Sequence, residues 1–167
     1  MDINIFKYLE KEYQELYSLA TDIDKLVFTA PHTVIVKSRV YIEKLSEQIA
    51  KLEGLDNLNV VSLADRLSSL SRNGVLDNVV GEYFYQVRKI SNKAAHEEVD
   101  TELLLALNIH NYIYKITCWF IETYVDYNFK SPIYKSPKPI NDTRENKEHA
   151  NILMKLMGKV DHLLHMN

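Results

Sequence analysis

Apolar residues recur at three- and four-residue steps along most of this chain, a spacing that places them on one face of an α-helix. The first such segment covers residues 3–28 and ends at Thr29-Ala-Pro31. Because proline suits the first turn of a helix, Pro31 is expected to begin a second helix, which ends at Gly54. The residues predicted to face inward from this second helix are Val36, Val40, Leu45, Ile49 and Leu52.

Three further helices follow in the pattern: a short one over residues 62–71, a fourth over residues 76–95 and a fifth over residues 101–128. The turn signal Asn73-Gly74 separates the third from the fourth. The apolar positions of the fourth helix are Val79, Val80, Tyr83, Phe84, Val87 and Ile90. The fifth is apolar almost all round, which is typical of a helix at the centre of a bundle or in a subunit contact. The sequence therefore predicts an all-α antiparallel bundle of about five helices.

The chain after the bundle has a different character. Residues 1–129 are assigned to the bundle, and residues 130–145, which carry three prolines and several lysines, to an extended linker. Residues 146–167 regain an amphipathic helical pattern. This tethered helix needs a surface for its apolar face: the bundle itself, a second copy of the chain or another protein.

Composition excludes several classes of protein. A net charge of −3 does not by itself indicate nucleic-acid binding, and the single cysteine, Cys118, excludes an internal disulfide and a cysteine-based zinc site. Cys118 is expected to be a small buried residue. No signal peptide or membrane span is visible, so a cytoplasmic protein without membrane association is predicted, with no metal site and no cofactor.

The segment Arg88-Lys-Ile-Ser-Asn-Lys-Ala-Ala-His96 carries the candidate chemistry. On one helix Arg88, Asn92 and His96 lie four residues apart, so they share a face. A guanidinium that grips phosphate, an amide that orients a nucleotide and an imidazole that acts as acid or base suit a phosphodiester. In the competing structural interpretation His96 caps the helix and Arg88 pairs with an acid such as Glu43.

Arg39 and Glu43 lie four residues apart in the second helix and are predicted to form an ion pair there. They are candidate supporting residues that orient the polar face, and an ordinary surface salt bridge is the alternative. The eleven tyrosines could stack on bases, but their helical spacing favours the core or an interface for most of them.

The order of these features resembles a known family. An N-terminal helix, a helix with Arg39 and Glu43, a short helix and then the segment 88–96 look like the domain-of-unknown-function family 4145 of the HEPN helical superfamily. The resemblance covers residues 5–129. It implies a helical bundle in nucleic-acid metabolism or anti-phage defence, either alone or at the N-terminus of type I restriction motor subunits and related helicases. Many HEPN proteins are dimers, and many are metal-independent ribonucleases with an Arg-x(4–6)-His motif.

Three functional hypotheses follow. Seven residues separate Arg88 from His96, whereas Lys89 has the family spacing without the guanidinium. The first hypothesis is therefore a non-catalytic or weakly catalytic HEPN-like module of a restriction or defence system, which acts mainly through protein contacts, with nucleic acid as a second kind of partner. The second is a metal-independent endoribonuclease that uses His96 with Arg88 and Asn92. The third is a dimerisation scaffold. The expected partners are a second copy of the chain, RNA or DNA, and a restriction or helicase subunit bound through the C-terminal helix.

Overall fold

The computed structural model describes residues 3–56, 62–93 and 99–139, together with 151–152, 154–156 and 158–159. The regular structure of these residues is helical, and they contain no β-strand. The elements are a 3₁₀ turn at Ile5–Leu9, the helices α1 (Gln14–Leu26), α2 (Pro31–Leu52), α3 (Leu63–Arg72), α4 (Asn78–Lys93) and α5 (Val99–Phe120), and a π-helical turn at Ile121–Val125. The predicted all-α bundle is confirmed.

Local chemistry sets most helix boundaries where the sequence predicts them. Pro31 occupies the first turn of α2, and Gly54 follows the end of α2 with φ 68°, a conformation that glycine adopts without a steric penalty. The Ser62 side chain accepts a hydrogen bond from the Asp65 backbone N–H at the start of α3. The carboxylate of Asp77 accepts two backbone N–H groups in the first turn of α4, at 2.9 Å each.

The prediction of one continuous helix over residues 3–28 is wrong. The chain forms the 3₁₀ turn, then changes direction over residues 10–13 and begins α1 at Gln14. The break allows two separate aromatic contacts: the Tyr8 ring packs edge-on against Phe129 at 4.9 Å, and the Tyr13 ring against Phe120 at 5.2 Å. Residues 10–13 contain neither glycine nor proline, so the local sequence gives no signal of a break there. The break is favoured instead by these aromatic contacts with residues distant in the sequence.

Helix α5 is the central element, as predicted, and packs against α1, α2 and α4. Its fully buried apolar residues are Ala106, Leu107, Ile109, Ile113, Ile116 and Phe120. Two of the residues predicted to face inward from α2 are instead exposed, Val36 at 50% and Leu52 at 46%. The apolar residue Val79 of α4 is also exposed, at 60%. The apolar stripe of each helix is wider than the surface that its neighbours cover, so the residues at its margins remain in solvent.

Residues 130–139, which we call the strap, follow the bundle without helix, strand or turn. The strap is more than a tether, because Phe129 at its start is buried and the Tyr134 ring packs edge-on against Tyr114 of α5 at 5.1 Å. Residues 151–152, 154–156 and 158–159 are helical, and the rest of the predicted C-terminal helix lies outside the described residues. None of the helices that are described is both long enough and apolar enough to cross a membrane.

Candidate functional site

Helix α4 presents Arg88 at the edge of the bundle. The helix is held in place by Val80, Phe84 and Val87, which are buried on its inner side. Arg88 is half-buried, and its guanidinium carbon lies 5.6 Å from the centre of the Tyr85 ring, one turn earlier. This is cation–π geometry, which leaves the N–H groups of the guanidinium able to donate hydrogen bonds sideways. No carboxylate forms an ion pair with Arg88 among the residues that the structure describes.

A groove of about 210 Å³ runs between α3 and α4, and Arg88 and Tyr85 line one part of it. The remaining lining residues are small or aliphatic: Ala64, Leu67, Ser68, Ser71 and Gly81. A Cβ atom added at Gly81 would come no closer than 3.7 Å to the Ser71 hydroxyl oxygen. The two helices are thus separated by small side chains, and the groove offers a guanidinium, an aromatic ring and serine hydroxyls.

A second polar group joins α4 to α2 through Arg39. The Nε of Arg39 donates to the Glu43 carboxylate at 2.9 Å, and one terminal nitrogen of the same guanidinium donates to the Asn92 side-chain oxygen at 2.7 Å. The predicted ion pair between Arg39 and Glu43 is therefore confirmed. Because the fork of the guanidinium can serve two acceptors at once, Arg39 holds the last turn of α4 against α2.

The structure separates the predicted polar face into two parts. Arg88 contacts Tyr85 and borders α3, whereas Asn92 is bonded to Arg39 of α2. The competing interpretation pairs Arg88 with an acid such as Glu43. Within the described residues no carboxylate pairs with Arg88, and the Glu43 carboxylate accepts a hydrogen bond from Arg39. Lys89 is exposed on the outer side of α4. His96 lies outside the described residues, so its position relative to Arg88 and Asn92 stays a prediction.

The arrangement has a definite electrostatic character. Arg39 is neutralised by Glu43, whereas Arg88 and Lys89 have no ion-pair partner within the described part of the chain. An anion approaching this end of α4 would meet two positive side chains, and the exposed Asn92 amide adds a hydrogen-bond donor, since its oxygen is already occupied. The described residues contain no cluster of three or more His, Cys, Asp or Glu that could hold a metal ion.

Sequence reasoning missed a second polar cluster, which joins α5 to α1 and to the strap. His110 is 2% exposed and is hydrogen-bonded to Asp24 of α1 and to Tyr134 of the strap. A lone histidine in an apolar helix gives no periodic signal, and its partners are distant in the sequence. The sequence does identify the other reactive group of α5 correctly: Cys118 is buried, and burial raises the pKa of its thiol to about 11, which makes it unreactive near neutral pH.

No family model matches this chain, and neither a curated protein nor a solved structure matches it.

Proposed function

We propose that this chain is a HEPN-like helical module of a prokaryotic restriction or anti-phage defence system that binds a nucleic-acid strand at α4. The observation that carries the proposal is the contrast between two arginines. The Arg39 guanidinium donates hydrogen bonds to Glu43 and Asn92. The Arg88 guanidinium lies beside an aromatic ring and a groove, and it has no carboxylate partner among the described residues.

The chemistry of the groove suits a single strand better than a duplex. The Arg88 fork matches the geometry of phosphate oxygens, and Tyr85, which is 43% exposed, offers a surface on which a base can stack. The serine hydroxyls of Ser68 and Ser71 can bond to phosphate or sugar oxygens. A B-form duplex would need a protruding helix or ribbon to reach its bases, and this groove is concave.

The proposal also includes protein contacts. A module of this kind acts with a restriction or helicase subunit, and the apolar face predicted for residues 146–167 is the surface that we assign to that contact. A homodimer is the second protein contact that we propose.

Fluorescence anisotropy with a short labelled single-stranded RNA tests the nucleic-acid part directly. The same sequence as DNA and as a duplex provides the comparison of ligand classes. We expect Arg88→Ala to weaken RNA binding about fivefold to tenfold and to reduce the slope of log K against log salt by about 0.7, the value for one phosphate contact on a single strand. Lys89→Ala should act in the same direction with a smaller effect.

Arg72→Ala is the matched control, because Arg72 is exposed at the C-terminal end of α3 and carries the same charge as Arg88. Its removal changes the net charge of the protein by the same amount without touching the groove. Equal affinities for Arg88→Ala and Arg72→Ala would leave only a nonspecific charge effect and would refute the assignment of the site.

The alternative function is metal-independent cleavage of RNA. It is favoured by the bond from Arg39 to Asn92, which fixes the face of α4 four residues before His96. Incubation of structured and single-stranded RNA in excess EDTA, with wild type and His96→Ala compared, separates the two functions. Cleavage by wild type alone would assign the ribonuclease. RNA binding by both proteins without cleavage would assign the binding module.

A further inference from the structure

A hydrogen-bonded chain of three side chains connects α1, α5 and the strap. The Nε2 atom of His110 lies 2.9 Å from a carboxylate oxygen of Asp24, and its Nδ1 atom lies 2.8 Å from the hydroxyl oxygen of Tyr134. His110 is 2% exposed, so water does not compete for either ring nitrogen. An ionised carboxylate only accepts hydrogen bonds, so Nε2 carries a proton and donates it to Asp24.

The direction of the second bond follows from the first. In the neutral imidazole, protonation at Nε2 leaves a lone pair on Nδ1, and the Tyr134 hydroxyl donates to it. Burial raises the pKa of Tyr134 above its ordinary value, so the hydroxyl keeps its proton and stays a donor. The same raised pKa argues against Tyr134 as an activated nucleophile, because the phenolate is disfavoured at this position.

The strap is held to the bundle by its side chains. Within the described residues no hydrogen bond joins the backbone of residues 130–139 to the backbone of a helix, and the prolines at 132, 137 and 139 have no N–H to give. The side chains alternate in exposure: Ile133 is 89% exposed, whereas the neighbouring Tyr134 is half-buried against His110 and Tyr114. Phe129 anchors the start of the strap, the Ser131 side chain forms a hydrogen bond with Cys118, and Tyr134 is the aromatic anchor further along.

We propose that Asp24, His110 and Tyr134 form a latch that holds the strap on the bundle and that opens locally while the helices stay folded. Asp24 selects the tautomer of His110, and in that tautomer Nδ1 of His110 accepts a hydrogen bond from the Tyr134 hydroxyl. When the latch opens, the strap leaves the face formed by α1 and α5, and the rings of His110 and Tyr114 become accessible.

Limited digestion of the full chain with trypsin under native conditions tests the latch. Trypsin cuts after Lys130 and Lys135 when the strap is open, but not after Lys138, which precedes proline. Cleavage after Lys44 in α2 serves as the internal monitor of global unfolding. Mass spectrometry then gives the cleavage rate at each lysine separately.

We expect Tyr134→Phe to accelerate cleavage after Lys135 about tenfold, the effect of losing one buried hydrogen bond, with no acceleration after Lys44. Asp24→Ala should accelerate the same cleavage by a smaller factor, because His110 can then adopt either tautomer. Ile133→Ala is the matched control, since this neighbouring side chain points outward. If Tyr134→Phe and Asp24→Ala both match Ile133→Ala, or if both accelerate cleavage after Lys44 equally, the latch is refuted.

Discussion

Arg88 and His110 are both basic side chains on adjacent helices, but the bundle surrounds them differently. Arg88 is half-buried, and its guanidinium lies over the face of the Tyr85 ring. His110 is 2% exposed and has a hydrogen-bond partner at each ring nitrogen. The first side chain keeps its capacity to bond with a ligand, whereas the second has used all of its capacity within the protein.

This difference separates a surface suited to binding from one suited to holding the fold. Exposed polar groups contribute little to stability, because water replaces their partners in the unfolded chain. Buried polar groups are costly to leave unpaired, so each bond of His110 matters to the folded state. Substitutions at the two places should therefore affect different measurements: ligand affinity at Arg88 and the free energy of unfolding at His110.

His110→Ala should have the largest effect on stability of the substitutions considered. It removes a buried ring, leaves a cavity and takes the acceptor from the Tyr134 hydroxyl, whereas the Asp24 carboxylate is 46% exposed and can turn to water. We expect the free energy of unfolding to fall by about 3 kcal/mol in urea denaturation followed by circular dichroism. Arg88→Ala, the comparison from the exposed site, should cost less than about 0.5 kcal/mol. Similar losses for both variants would remove the distinction between the two places.

Gly81 allows the groove to be closed without a change of charge. The position faces Ser71 at an ordinary contact distance for a Cβ atom, so Gly81→Ala should fit and stabilise α4 by about 0.5–1 kcal/mol through helix propensity. The longer side chain of Gly81→Leu would occupy the space between Ser71 and Tyr85. We expect Gly81→Leu to weaken binding of single-stranded RNA about tenfold, which corresponds to 1.4 kcal/mol.

Gly81→Ala is the control for this comparison, because it changes the helix in the same place while leaving most of the groove open. Its RNA affinity should match wild type within about twofold. Anisotropy titrations and thermal melts of both variants provide the two readouts. If Gly81→Leu binds RNA as tightly as Gly81→Ala, the strand does not enter the groove.

The predictable part of the fold is the part that local chemistry determines. Pro31 and Gly54 mark the ends of α2 because each has a backbone conformation that suits its position. Arg39 forms an ion pair with Glu43 because both lie on one face of the same helix. These relations involve residues a few positions apart. A sequence pattern shows them without knowledge of the tertiary structure.

The parts that were wrong or missed depend on distant residues. The break between the 3₁₀ turn and α1 is set by aromatic contacts with the other end of the chain, and the partners of His110 lie 86 and 24 residues away from it. Periodicity also cannot choose between neighbouring apolar residues at the margin of a stripe: Ile35 is buried and Val36 is exposed. For the candidate site, the sequence suggests the residue types on α4, but not that α3 borders Arg88 while α2 holds Asn92.

The smallest expected effect concerns the hydrogen bond between Arg39 and Asn92. This bond joins two helices, but it is exposed like Arg88 rather than buried like His110. Arg39 is 31% exposed and Asn92 lies on the surface, so water competes with each partner. We expect Arg39→Ala to cost about 1 kcal/mol, because two bonds are lost, and Asn92→Ala about 0.5 kcal/mol. A double-mutant cycle by urea denaturation should give a coupling energy of about 0.5 kcal/mol.

Arg39→Lys is the control, since an ammonium group lacks the fork that serves Glu43 and Asn92 together, and it should lose most of that coupling. A coupling above about 2 kcal/mol would place this bond with the buried polar chain around His110, and the polar face of α4 would then be a structural element of the bundle rather than a surface open to a ligand.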